Sequence, residues 1–170
     1  RVAVKYQANA PLRHRHFRTA RLEPGGDPIT GRRVILGNDD CTIAICQPRQ
    51  PMNYFYRNGL ADELIFVHEG TGKLETVFGS ITYRPGDYLV IPFSTTYRIV
   101  PDNVPTRFLV VESYGLIETP RLYRNDYGQF LEHSPFCERD IRPPEELVTH
   151  LETGEFEVRV KMRDTLTAYF

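Results

Sequence analysis

Between Arg32 and Ser113 the chain is a succession of short runs of Val, Ile, Thr, Tyr and Phe, broken by turn residues at intervals of about ten. The runs are Arg33 to Leu36, Thr42 to Cys46, Glu63 to His68, Lys73 to Phe78, Ser80 to Arg84, Tyr88 to Ile91, Thr96 to Val100 and Thr106 to Ser113. Runs this short and this rich in β-branched and aromatic residues suit strands, because an amphipathic helix needs roughly ten residues or more to show its stripe. Strands so closely punctuated bury their apolar sides by stacking two sheets or closing one, so the expected fold is all-β, an antiparallel sandwich or barrel. Glu69-Gly70-Thr71-Gly72 reads as hairpin chemistry and Gly79 as the next such turn, since glycine takes positive φ without strain. Pro85-Gly86-Asp87 reads as a turn into Tyr88–Ile91, and Pro92, which has no N–H to donate, ends that strand.

The 170 residues are enough for one domain with its own core, without disulfide staples. Lys and Arg number 21 and Asp and Glu 22, a balance that argues against a general nucleic-acid binder, which needs clustered cations to neutralise phosphates. No apolar run reaches the roughly 18 residues of a membrane span. Cys41, Cys46 and Cys137 are odd in number and lack paired metal spacing, so a reducing compartment, by default the cytoplasm, is expected.

The chain divides into three parts. Residues 1–31 form a basic arm and loop: Arg1, Lys5, Arg13, Arg15, Arg18 and Arg21 fall in the first 22 positions with no acid among them. They are expected to dock on an acidic body or a neighbouring subunit. Residues 32–113 form the barrel. Residues 114–170 form an irregular extension with Pro120, Pro135, Pro143 and Pro144, expected to wrap the barrel and lead toward further chain. Within it, Pro143 to Val148 has the make-up of a first helical turn, Glu155–Lys161 alternates as a half-exposed strand does, and Leu166 to Phe170 is rich in strand formers.

Few residues offer catalytic chemistry from spacing alone. His14 and His16 are two apart, but the cations around them repel a dication and lower imidazole basicity, so a structural or interface role is expected. His68 ends a strand, and His133 and His150 lie in the irregular tail. Ser94 and Ser113 lack a nucleophile-elbow setting, and Gly70-x-Gly72 lacks the rest of a dinucleotide fingerprint. Cys41 and Cys46 read as buried small hydrophobes.

Glu63 followed by Gly70, Gly79, Pro85-Gly86-Asp87 and Ile91-Pro92 resembles the two motifs of the cupin superfamily, small double-stranded β-helix (jelly-roll) barrels. In metal-binding cupins those motifs carry histidines and a glutamate aimed into one cavity. The resemblance implies that the histidine places fall here on Tyr56, Asn58 and Tyr97, with Glu63 alone retained. A carboxylate, a carboxamide and two phenols make a poor set for iron or zinc, so no metal is expected here. A hydrogen-bonded polar plug is expected instead.

Leu12 to Thr19, Tyr56-Arg57-Asn58, Asp62 to Gly70, Gly72 to Thr76, Tyr83 to Tyr88 and Val90-Ile91-Pro92 together resemble the amino-terminal domain of bacterial homogentisate 1,2-dioxygenases. That resemblance implies a cytoplasmic Fe(II) oxidoreductase of tyrosine and phenylalanine catabolism that adds O2 to the ring of homogentisate or a similar phenolic acid. It also implies an oligomer of the trimer or hexamer kind, and iron ligands in a second domain outside these residues. On this reading the segment alone is inactive and has no catalytic residue. Two alternatives are a stand-alone, non-catalytic cupin that binds a small organic ligand, and a metalloenzyme using His14 and His16 with Glu63.

Overall fold

The structure, a computed structural model, describes residues 14–102, 104–147, 152–163 and 165–170. Arg1, Lys5 and Arg13 of the basic arm, together with Val148 and His150 of the tail, lie outside the described residues. Among the described residues there are eleven strands: β1 Arg32–Gly37, β2 Cys41–Cys46, β3 Phe55–Asn58, β4 Asp62–Glu69, β5 Gly72–Thr76, β6 Gly79–Tyr83, β7 Tyr88–Ile91, β8 Thr96–Pro101, β9 Arg107–Ser113, β10 Val158–Met162 and β11 Thr165–Tyr169. They form two sheets, ordered β1-β2-β9-β4-β7 and β11-β10-β3-β8-β5-β6. The all-β expectation holds. Every pair is antiparallel except β3 with β10, which run parallel, Tyr56 opposite Arg159.

From β2 to β9 the chain passes repeatedly between the sheets, and this corrects one local reading. β4 and β5 lie in different sheets, so Glu69-Gly70-Thr71-Gly72 is a corner and not a hairpin. Gly70, at φ +94°, supplies the bend of that corner. The true hairpin is β5–β6, closed at Val77–Phe78, with Thr76 opposite Gly79. Pro85-Gly86-Asp87 is a second corner. Its Asp87 side chain accepts a bond from the Arg84 N–H at 2.9 Å, while the Val67 N–H donates to the Asp87 carbonyl and the Gly86 N–H donates to the Val67 carbonyl.

Alternation puts one side of each strand into the space between the sheets. Ile65 and Val67 of β4, Ile99 of β8 and Phe108 and Val110 of β9 are all essentially buried there. Among them are residues that are not hydrocarbon: Tyr56, Tyr97 and, fully buried, Glu63.

The Pro-rich tail stays close to the barrel. The Ile117 N–H donates to Asp62, Arg142 pairs with Asp87 at 2.6 Å, and β10 and β11 complete the second sheet. The helical turn expected from Pro143-Pro144-Glu145-Glu146 is not formed. Glu146 instead bridges Ser80 in antiparallel fashion, because the free N–H and C=O of edge strand β6 offer this segment hydrogen bonds that an isolated turn could not match. His68 and His133 are exposed. Cys46 is buried and Cys41 only partly so; burial pushes the Cys46 thiol up to about 12.

Gly79 sits at φ +120°, and a Cβ there would lie 2.4 Å from the Glu146 carbonyl oxygen. Gly79→Ala is therefore expected to destabilise the protein by about 1–3 kcal/mol in urea unfolding and to speed proteolysis within residues 142–147. An unchanged midpoint would show that the tail does not seat against β6.

Candidate functional site

The barrel interior holds a cluster of charged and polar side chains built from six strands, β1, β3, β4, β8, β9 and β10. On β3, Tyr56 and Asn58 point inward while Arg57 between them points out and bonds Thr96. The Asn58 carboxamide oxygen accepts from the Leu60 and Ala61 N–H groups, both at 3.1 Å, which fixes its NH2 toward Glu63 Oε1, also at 3.1 Å. Tyr97 of β8 lies opposite Tyr56 in register, their rings 5.3 Å apart and edge to face. Tyr56 donates to Glu63 at 3.4 Å, and the Tyr97 hydroxyl makes a short bond to the other carboxylate oxygen. The structure thus brings Tyr56, Asn58, Glu63 and Tyr97 onto one another.

Sequence reasoning missed the residue at the centre. Arg32, the first residue of β1, points between the sheets with 7% of its side chain exposed. One terminal nitrogen donates to Glu63 at 2.6 Å and to Glu112 at 3.1 Å. The other donates to the Tyr97 hydroxyl at 2.9 Å, and Nε donates to the Pro28 carbonyl at 3.1 Å. Its guanidinium also lies 5.5 Å from the Tyr56 ring centre. Glu112 completes its own pairing through Lys161 of β10. A signal for Glu112 was present, since Phe108, Val110 and Glu112 share one side of β9. Arg32 was obscured by Arg33, its neighbour on the opposite, solvent side.

The loop ahead of β1 places Arg32. The Asp27 carboxylate accepts from the N–H groups of Ile29 and Thr30 at 2.8 and 2.9 Å and from the Tyr54 hydroxyl at 2.8 Å. This Asx-type turn aims the Pro28 carbonyl at Arg32. Burial and the bond to Asp27 push the Tyr54 hydroxyl upward in pKa.

Burial alone would raise the Glu63 pKa, but the adjacent Arg32 charge, with bonds from Arg32, Tyr97 and Asn58, holds it below the usual carboxylate range. Burial likewise opposes the Arg32 charge, and Glu63 foremost more than offsets it. Tyr97 and Tyr56 are pushed well up, by burial first and then, among the influences that raise them, by the Glu63 charge. At neutral pH the cluster is an ionised Arg32 between two carboxylates, with neutral phenols around it.

This set does not fit a divalent transition ion. Glu63 spends both oxygens on Arg32, Tyr97, Tyr56 and Asn58, the phenols keep their protons, and the guanidinium repels a second cation. Among the described residues no group of three or more His, Cys, Asp or Glu is placed to hold a metal. His14 and His16 are exposed, whereas Glu63 is wholly inside, so the three do not assemble into the site of the metalloenzyme alternative.

No family model matches the chain. An uncharacterized conserved protein of Klebsiella pneumoniae with a double-stranded β-helix domain overlays it with a TM-score of 0.51 at 18% identity, covering 61% of this chain and 92% of that one. The fold is the double-stranded β-helix of the cupins. In sequence, the chain is 34% identical over 154 residues to a "putative dioxygenase" of Saccharolobus solfataricus, across 90% of its own length. It is 41% identical over 54 residues to the homogentisate 1,2-dioxygenase of Bradyrhizobium diazoefficiens, 31% of its length. It spans 39% of the first relative and 12% of the second. The domain is therefore related to a protein named as a dioxygenase, a likeness that suits one part of such a protein and a self-standing cupin equally. No helix among the described residues is long and apolar enough to cross a membrane.

Arg32→Met is expected to cost about 3–5 kcal/mol at pH 7, because it strands buried carboxylates, and Arg32→Met/Glu63→Gln should recover much of that loss in urea unfolding. The pH slopes should have opposite signs. In the parent, Glu63 has a lowered folded pKa, so its stabilisation is complete above about pH 4.3, the unfolded value, and is lost as pH falls through the folded one. In Arg32→Met, burial without the guanidinium raises the Glu63 pKa, so acidification should restore relative stability. Parallel acid profiles for the two proteins would contradict the assignment of Arg32 as the counter-ion. At the alkaline end, the raised Tyr97 and Tyr56 stabilise fully below about pH 10, and parent stability should fall as pH rises above it.

Proposed function

We propose that the chain is the metal-free cupin domain of a homogentisate 1,2-dioxygenase-like enzyme of tyrosine and phenylalanine catabolism, serving as scaffold and oligomerisation domain. The observation that carries this reading is Arg32: a fixed internal cation on Glu63, where a metal-using barrel would hold its ion. Ring cleavage of homogentisate or a related phenolic acid by O2 then belongs to Fe(II) held outside these residues. The two dioxygenase relatives support the assignment of the reaction class. Cytoplasmic location follows from the same reading.

A subunit-building role has support from the outer side of the first sheet. Leu36, Ile43, Val111, Leu64 and Val90 lie in register across all five of its strands. Leu36 and Val90 are 50% and 49% exposed. A contiguous apolar row of this kind is unusual on a surface that meets only water, and it suits contact with another subunit of a homo-oligomer.

After anaerobic incubation with Fe(II) and desalting, the chain is expected to retain no stoichiometric iron and to consume no O2 with homogentisate. Tight binding of one iron per chain, or turnover by the chain alone, would defeat the scaffold reading.

A further inference from the structure

A cavity of about 120 Å³ opens between β1–β2 of the first sheet and β10–β11 of the second. Its apolar lining is Ile29, Val34, Ala44 and Leu166, with Tyr56 at its buried end. Arg32, Lys161 and Arg163 also line it, with Glu112 of opposite sign among the described residues. Thr30 and Arg163, both exposed, mark where it meets solvent.

We propose that this cavity binds a small monocarboxylate, its hydrocarbon body between the sheets and its carboxylate toward Arg163 and Lys161. Size sets the body: an apolar cavity of roughly 150 Å³ accepts benzene, so this one takes a chain of about four or five carbons. Charge sets the head. Among the described residues the three lining cations face Glu112 and, behind Arg32, Glu63, so three positive charges meet two negative and one positive charge is left over. That surplus falls on Arg163, because Arg32 and Lys161 are both committed to carboxylates, whereas Arg163 has no ion-pair partner among the described residues. A ligand cation would meet repulsion from this surplus. A neutral apolar molecule would fill the space but leave the surplus charge unanswered. The carboxylate does both, with charge-assisted bonds of the stronger kind. The site is separate from any iron chemistry, and the proposal stands whether the domain is a scaffold or acts by itself.

The test uses the folded chain with pentanoate, pentanamide and pentylamine as probes, followed by calorimetry and by backbone amide shifts. Pentanoate is expected to bind about tenfold or more tighter than pentanamide, the equivalent of one charge-assisted contact. It should shift the amides of Thr30, Ala44 and Leu166, and pentylamine should not bind. Arg163→Gln, at an exposed position, should weaken pentanoate about tenfold at unchanged Tm, and Val34→Phe should abolish binding by filling the cavity. Equal affinity for acid and amide, shifts scattered away from the cavity, undiminished binding by Val34→Phe, or no pentanoate binding at millimolar concentration would each overturn the proposal. None of these results bears on iron or O2 uptake, so failure here is distinguishable from failure of the scaffold reading.

Discussion

A guanidinium held between two buried carboxylates is the constraint around which this barrel is arranged. Charges removed from water are costly unless their geometry is good and their remaining donors and acceptors are used, and the structure meets both conditions at Arg32. Glu63 of β4, Glu112 of β9, Tyr97 of β8 and the carbonyl of Pro28 converge on it. Asn58 of β3 and Lys161 of β10 then satisfy what the carboxylates have left. The cluster thereby joins strands of both sheets across the interior, a task that hydrocarbon packing performs elsewhere in the core through Ile65, Val67, Phe108 and Val110.

The same arrangement decides what the interior can do. A metal-binding barrel presents neutral imidazoles and a carboxylate with open positions between them, so that an incoming ion supplies the positive charge. Here the positive charge arrives with the polypeptide, from β1, and cannot be displaced without breaking hydrogen bonds to four residues. A guanidinium so placed cross-links the strands around Glu63, as the supporting role proposed above asks of it. At the edge of the interior, Lys161 of β10 and Arg163 of the turn that follows it share a cavity with Arg32 at the start of β1.

Much of the fold was legible because turn chemistry and alternation are local. Pro85-Gly86-Asp87, Gly79 and the phase of Ile65 and Val67 with Glu63 are written within a few residues of where they act. β3 was not recognised as a strand: Phe55–Asn58 has four residues, two of them polar, and owes its existence to distant pairing with β8 and β10. The segment Pro143–Glu146 carries helix-start residues, yet follows the open edge of β6, a feature of the assembled sheet. The family motif pointed to Tyr56, Asn58, Glu63 and Tyr97, which lie against one another, but Arg32 lies outside that motif, and its inward direction depends on the β1–β2 register, Arg32 opposite Cys46.

The most direct measurement is a carbon-13 NMR titration of the Glu63 side-chain carboxyl in the folded protein, with and without added Zn(II) as a non-oxidisable probe ion. If Arg32 is its permanent counter-ion, the signal stays that of a carboxylate down through and below the ordinary range near pH 4.3 and is indifferent to the metal. A carboxyl that titrates at or above that range, or whose signal moves with stoichiometric Zn(II), would contradict the account.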